Sequence, residues 1–315
     1  MIKQLFYLIF CNVGENKLNN IHVDCVLDIK ANLGEGPIWS IVDQNLYWVD
    51  INNCQLNKYN PINGKNKTLD VGKPIGCFAI KKNLNIILAL TDGFFELKQN
   101  DKSMSFINNP ESHVLENRFN DGTVDMKGRF YAGTMPINGP NKNIGAKGNL
   151  YCLNPDRNVK KIMSGFNVIN GLAFSPDSKI AYVSDSADWV RTIWAYDYDL
   201  DEGIWSNKRV FFDTNDIAGR PDGGCVDTDG CYWMAGVSGW EIVRITPKGK
   251  VDMIIKMPVE KPTKIAFGGK DLDIMYVTSI GKDITIGTEE KQPLAGGIFA
   301  LKVPGVKGMQ FPFFG

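Results

Sequence analysis

The chain has 315 residues, 43% of them hydrophobic and 22% charged, which is the make-up of an ordinary soluble globular protein. Lys plus Arg and Asp plus Glu both total 35, and a net charge of zero argues against a nucleic-acid or membrane-surface partner. The expected ligand is a small molecule held by local charge contacts.

Residues 5–11 (LFYLIFC), which follow Lys3, are the one stretch with targeting character. The stretch is at the short limit for a secretion signal, lacks a small-x-small cleavage site and is far too short to span a bilayer. Residues 1–20 are therefore expected to form an extension, disordered or weakly signal-like, ahead of a single domain over 21–315. A cytoplasmic location and a monomer or weak dimer are expected. Seven cysteines (Cys11, Cys25, Cys54, Cys77, Cys152, Cys225 and Cys231) are scattered, odd in number and never in C-x-x-C. That pattern predicts free or buried thiols, not a disulfide framework or a structural zinc site.

Helical periodicity is nearly absent from the rest. What recurs is a short apolar strand, a turn built on Asp, Asn or Gly, and a second strand rich in Tyr, Trp and Val. In chain order these hairpins are 36–50 (GPIWSIVDQNLYWVD), 76–90 (GCFAIKKNLNIILAL), 122–133 (GTVDMKGRFYAG), 171–185 (GLAFSPDSKIAYVSD), 223–236 (GGCVDTDGCYWMAG) and 264–279 (KIAFGGKDLDIMYVTS). They start roughly 40 to 50 residues apart, the period of propeller blades. Further strand pairs lie between them, such as 148–153 and 192–198, and 296–303 should supply an outer strand of the last blade or close the ring. The fold class is all-β, a six-bladed β-propeller with four antiparallel strands per blade. Trp39, Trp48, Trp194 and Trp233 fall in strands and are expected to pack between blades.

The innermost strand of each blade starts at the central channel, so residues just before those strands converge at one end of the axis. They are Glu35, Asn120 and Asp121, Asn170, and Asp222, in four different blades. Glu35, Asn170 and Asp222 are each followed by Gly, which lets the backbone approach its neighbours closely. Two carboxylates and a carboxamide meeting at one point form a hard-oxygen ligand set for one divalent ion: Ca²⁺, Mg²⁺, Mn²⁺ or Zn²⁺. Other chemistries lack their residues. His22 precedes the first blade, His113 lies in a polar surface stretch, and there is no G-x-S-x-G elbow, phosphate loop or G-x-G-x-x-G.

The strings L-G-E-G-P-I-W, N-R-F-N-D-G-x-V-D-x-x-G-R-F-Y-A-G-T-M, N-G-L-A-F-S, P-D-G-G and F-G-G-K-D-L-D-x-M-Y-V-T-S resemble regucalcin (senescence marker protein) and the gluconolactonases. So does the ending A-G-G-I-F-A-L-K-V-P-G-V-K-G, and the resemblance covers residues 23–309. It implies a metal-dependent hydrolase that opens sugar lactones, with Glu35, Asn170 and Asp222 as metal ligands. Arg118 and Asn120 match the family's substrate-binding pair, and Asp222 would double as the general base. After G-T-M, where mammalian regucalcins carry a glutamate, this chain has Pro136, Ile137 and Asn138. Asn138 is thereby a third candidate substrate contact, with the preferred sugar open. Two rival readings stand beside it: an organophosphate- or luciferin-related hydrolase on the same fold, and a calcium-binding regulatory propeller without turnover.

Overall fold

The structure is a computed structural model that describes residues 21–315. Each hairpin of the sequence supplies the two strands nearest the axis of one four-stranded antiparallel sheet, and six such sheets form the ring. Blade 1 runs outward in chain order through Gly34–Ser40, Asn45–Asp50, Gln55–Asn60 and Lys65–Asp70. The inner strands of blades 2 to 6 are Ile75–Ile80, Asn117–Val124, Ile169–Phe174, Arg220–Val226 and Pro262–Gly268. The strands expected between hairpins are the third strands of blades 3 and 4, Gly148–Leu153 and Thr192–Asp199. The fold is the six-bladed β-propeller that the repeat predicts.

Blade 6 shows how the ring closes. Ile298–Leu301 is its third strand, and its outermost strand is Val23–Leu27 from the other end of the chain, with Val23 opposite Leu301. The short alternating stretch VDCVL finds its ladder partners only after nearly the whole chain has been placed.

Burial decreases from the axis outward. Every residue of Gly34–Ser40 is buried, whereas Lys65–Asp70 in the same blade is largely exposed. Strands near the axis are sandwiched between two neighbouring blades, which is why they read as continuous apolar runs. The hydrophobic interior consists of six layers, one at each blade interface. Trp233 and Ile242 of blade 5 meet Ile265, Phe267 and Met275 of blade 6, and Trp39 and Trp48 of blade 1 meet Tyr276 of blade 6. Trp194 packs against the layer between blades 3 and 4, so the tryptophans lie between blades as expected. Each fully buried side chain of this kind contributes about 1.5–3 kcal/mol of transfer free energy.

The turns carry their own chemistry. Asp125 Oδ1 accepts the backbone N–H groups of Lys127 and Arg129, both at 2.9 Å. Asp227 Oδ1 does the same for Asp229 (3.0 Å) and Cys231 (2.9 Å) at the equivalent turn of blade 5. These carboxylates satisfy donors that a tight hairpin leaves without a ladder partner.

The last residues cross one mouth of the channel. On one side Thr228 N donates to Lys307 O (2.9 Å) and Gly308 N to Leu272 O (2.8 Å); on the other Phe314 N donates to Ile80 O (2.9 Å) and Gly315 N to Gly128 O (3.1 Å). All four anchors stand at the far ends of inner strands, so residues 309–313 form a strap from the blade 5–6 side to the blade 2–3 side.

The six described cysteines are unpaired, in keeping with the expected free thiols. Cys11 and the apolar stretch 5–11 lie outside the described residues. No helix among the described residues is long and apolar enough to cross a membrane.

Candidate functional site

The inner strands share one irregularity. Each carries one more residue than its partner strand, and the register shifts fall between Glu35 and Ile38, Ile75 and Cys77, Phe119 and Gly122, Asn170 and Ala173, Pro221 and Gly224, and Pro262 and Ile265. A β-bulge bends its strand and re-aims consecutive side chains. Here it does so at the same level in all six blades, and Glu35, Asn120, Asn170 and Asp222 all sit at this level.

Two details differ from the sequence reading. The expected residues lie inside the inner strands, not ahead of them, because the left-handed glycines of the bulge (Gly36 at φ 54°, Gly171 at φ 62°) look in sequence like turns before a strand. They also occupy two adjacent bulge positions, not one equivalent position. By register Glu35 matches Asn170, whereas Asn120 matches Asp222 one residue later. Where two residues oppose one, both can approach the axis.

Around the axis the structure brings together Glu35 (blade 1), Arg118 and Asn120 (blade 3), Asn170 (blade 4) and Asp222 (blade 5). A chain of hydrogen bonds links the inner strands of blades 3, 4 and 5. Arg118 Nη1 donates to Asn120 Oδ1 (2.9 Å), Asn120 Nδ2 to Asn170 Oδ1 (2.9 Å), and Asn170 Nδ2 to Ser186 Oγ (2.7 Å). Ser186 Oγ then donates to Pro221 O, the residue before Asp222. Its amide nitrogen committed to Ser186 fixes the Asn170 carboxamide so that the carbonyl oxygen accepts Asn120 Nδ2 and has one lone pair left. Asn138 stands apart, exposed in the turn after Phe130–Pro136 and without a hydrogen bond to the others.

Close approach demands glycine here. A Cβ on Gly171 would lie 2.3 Å from the Tyr232 hydroxyl, at a φ that side chains rarely adopt. One on Gly223 would lie 2.4 Å from Cβ and Cγ of Lys264. Glycine after Asn170 and Asp222 is thus a steric requirement of the channel.

Sequence reading missed Lys264 as a site residue and treated Asp121 only as a companion of Asn120. Lys264 Nζ donates to Asp121 Oδ1 and to Gly122 O (3.0 Å), and the pair's side chains are 7% and 3% exposed. Blades 6 and 3 face each other across a six-bladed ring, so this ion pair is a strut through the axis. Asp121 also accepts Gly122 N (2.8 Å) and Leu172 N (3.2 Å). The one signal in sequence was a lone charged residue inside a buried inner strand, P-T-K-I-A-F-G.

The charges are out of balance once desolvated. Burial, then the Asp121 carboxylate, pushes the Glu35 carboxyl up to about 7. Burial, then Glu35 and Asp121, holds Asp222 well above the ordinary carboxylate range. Burial pushes the Arg118 guanidinium down to about 10 even though Glu35 and Asp222 attract it. Asp121 and Glu35 hold the Lys264 ammonium charged against the cost of burial. The Cys77 thiol, buried next to the same carboxylates, is raised and so suppressed as a nucleophile.

A cluster of this kind fits a cation. Glu35 accepts only the short bond from Gly36 N (2.6 Å), and the Asp222 carboxylate, 8% exposed, accepts no hydrogen bond among the described residues. A buried carboxylate without a donor is costly unless an ion or proton joins it. Two such carboxylates and an oriented amide oxygen suit a hard divalent ion. Among the described residues no three His, Cys, Asp or Glu side chains gather as a metal nest, at the axis or elsewhere, and the set here relies on two carboxylates and one amide oxygen.

Residues 33–281 match the family model described as the SMP-30/gluconolactonase/LRE-like region. Regucalcin of Xenopus laevis is 35% identical over 294 residues, covering 93% of this chain and 98% of that protein. The 6-deoxy-6-sulfogluconolactonase of Pseudomonas putida is 35% identical, covering 94% of this chain and 99% of its own length. Among solved structures, a luciferin-regenerating enzyme superposes with a TM-score of 0.86 at 31% identity, covering 93% of this chain and 99% of that one.

Proposed function

We propose that this chain, which belongs to the SMP-30/gluconolactonase/LRE-like family, is a hydrolase that opens sugar lactones. The observation that carries the reading is the polar axis itself: two desolvated carboxylates, an oriented amide oxygen and an Arg–Asn pair at one level of one channel. Glu35, Asn170 and Asp222 would hold one divalent ion, Ca²⁺, Zn²⁺, Mn²⁺ or Mg²⁺. When bound, such an ion supplies Lewis-acid polarisation of a carbonyl.

The chain's own residues do the rest. Arg118 is half-buried and spends Nη1 on Phe119 O and Asn120 Oδ1, both at 2.9 Å, which leaves its other donors for ring hydroxyls. Asn120 is held from both sides, by Arg118 and by its bonds to Ile169 O (3.0 Å) and Asn170, and presents a fixed edge to the same substrate. Asp222 accepts the proton of the attacking water. The water oxygen bonds to the lactone carbonyl carbon, the ring C–O bond breaks, and the proton leaves on the ring oxygen as the new hydroxyl. Asn138 touches only substrates that extend beyond the channel mouth.

The test is a pH-indicator assay of several aldonolactones with each ion in turn, and a phosphotriester as the rival substrate. Asp222→Ala is expected to lose divalent-ion binding and at least about a thousandfold in turnover. Full lactonase activity in that variant would refute the scheme. Ion binding without hydrolysis of any substrate would make the chain a regulatory binder.

A further inference from the structure

Two arginines lie on inner strands, Arg118 in blade 3 and Arg220 in blade 5. Their register is the same. Arg118 pairs with Met135 two residues before Asn120, and Arg220 pairs with Val237 two residues before Asp222, each one pair ahead of the bulge. Both therefore stand on the side of the bulge level that faces the mouth opposite the strap. The first already belongs to the proposed site; the second has no part in it so far.

Arg220 is not a structural arginine. Arg191 Nη2 donates to the carbonyls of Thr214 (3.0 Å), Ile217 (3.0 Å), Ala218 (3.3 Å) and Gly219 (3.1 Å), and so ties the turn 186–191 to the segment that leads into Arg220. Arg220 itself donates only through Nη1, to Asp188 Oδ1 (2.7 Å), and its Nε and Nη2 have no acceptor among the described residues. The Arg220 side chain is 28% exposed and that of Asp188 74%. An ion pair so open to water contributes little, and a better anion can take the place of Asp188. Asp188 stands in the turn that starts at Ser186, whose hydroxyl joins Asn170 Nδ2 to Pro221 O, so the pair lies over the junction of blades 4 and 5 beside the site. Its charge reaches the axis: burial, then Glu35 and Asp121, raises Asp222, and Arg220 is the leading cation acting against them. A guanidinium so placed repels any cation held by Asp222 unless an anion comes between them.

We propose that Arg220 is a specificity-determining residue of the lactone site, and that the lactone it selects carries an oxyanion at the end of the sugar away from the carbonyl. The free Nε and Nη2 form a planar fork that can hold a carboxylate, sulfonate or phosphate by two parallel bonds. Asp188 is the counter-ion that gives way to it. The inference rests on the lactone reading, which puts the carbonyl at the axis and leaves the rest of the sugar to extend toward the mouth.

The test compares gluconolactone with the same lactone phosphorylated on its terminal hydroxyl, at low ionic strength. The ester is expected to have the higher kcat/KM by about tenfold, the ratio for one hydrogen bond to a charged group, with the gain in KM and not in kcat. Added salt should shrink the ratio, because the contact lies near the surface. Arg220→Gln, which removes the charge, should bring the two substrates to within about twofold of each other. Asp188→Asn, which frees the guanidinium, should widen the gap. Hydrolysis of gluconolactone with no preference for the ester, or a preference that survives in Arg220→Gln, overturns the proposal and leaves the lactone reading standing. If neither lactone is opened, the lactone reading falls, and calorimetry with gluconate and its terminal phosphate ester, which need no turnover, still decides whether Arg220 reads the anion. Tighter binding of the ester that is lost in Arg220→Gln supports the assignment; equal binding, or no binding of either, overturns it. Should Arg220→Gln fail to fold, an unchanged preference in Asp188→Asn counts against the proposal.

Discussion

Replacing Lys264 with Met tests whether the ring depends on its strut. The substitution preserves length and apolar volume but removes the ammonium that Asp121 and Gly122 O share across the axis. Asp121 keeps the N–H groups of Gly122 (2.8 Å) and Leu172 (3.2 Å) but is left as a buried carboxylate without a counter-charge. Breaking one side of a buried pair costs about 3–5 kcal/mol, and those two remaining donors place the expectation near the lower end. At about 2 cal/mol/K of unfolding entropy per residue, that corresponds to a fall in melting temperature of about 5 °C in a ring of this size. Asp121→Asn should cost a similar amount, because it leaves the ammonium short of an anion. The double variant should be more stable than the sum of the two losses by at least about 1.5 kcal/mol. Thermal and urea unfolding of all four proteins measure this. Losses that add to within about 0.5 kcal/mol would mean that the two charges do not act as a pair, and the strut argument would fail.

Three further outcomes follow from the geometry. Glu35 is raised from 4.5 to about 7 in the folded chain, so its stabilisation is complete in acid below the unfolded value and is lost as pH rises through about 7. The metal-free protein should therefore lose up to about 3 kcal/mol between pH 5 and 8. Divalent-ion affinity, measured by calorimetry, should rise about tenfold per pH unit up to 7 for each proton displaced; a flat profile would contradict the assignment of Glu35 as a ligand. Asp185 accepts Asn167 N (2.7 Å), Val168 N (3.1 Å) and Ala187 N (3.1 Å), so Asp185→Ala should destabilise by at least about 3 kcal/mol in urea unfolding. Deleting the chain through Leu27 removes the outermost strand of blade 6; it should open the ring and broaden the unfolding transition seen by calorimetry, with Ile298–Leu301 becoming an unpaired edge.

The blades were legible because each hairpin repeats a local rule: apolar strand, Asp or Gly turn, aromatic strand. The level of the polar residues was legible too, since Glu35, Asn120, Asn170 and Asp222 recur in one phase of that repeat. What did not show was anything set by pairing at long range. The bulge that places Asp222 one step from Glu35 exists only relative to a partner strand. Lys264 appeared as an ordinary strand residue because its partner lies 143 positions earlier, on the opposite blade. Val23–Leu27 is too short to declare a role until Ile298–Leu301 stands beside it, and the strap of 309–313 has no repeat of its own to follow.

The six bulges form a circle of sockets, and the chain fills them unevenly. Blade 2 presents Gly76, where any added Cβ would lie 2.2 Å from Phe119 O, so that spoke can never carry a functional group. Blade 6 presents Thr263, which is spent on holding Gly34 O and Thr278. The candidate ligands and substrate contacts therefore stand on blade 1 and, facing it, on blades 3 to 5, so a molecule descending the axis meets a lining that differs from spoke to spoke. Such a lining can favour one face of a flat substrate over its mirror image even though the scaffold around it is nearly sixfold.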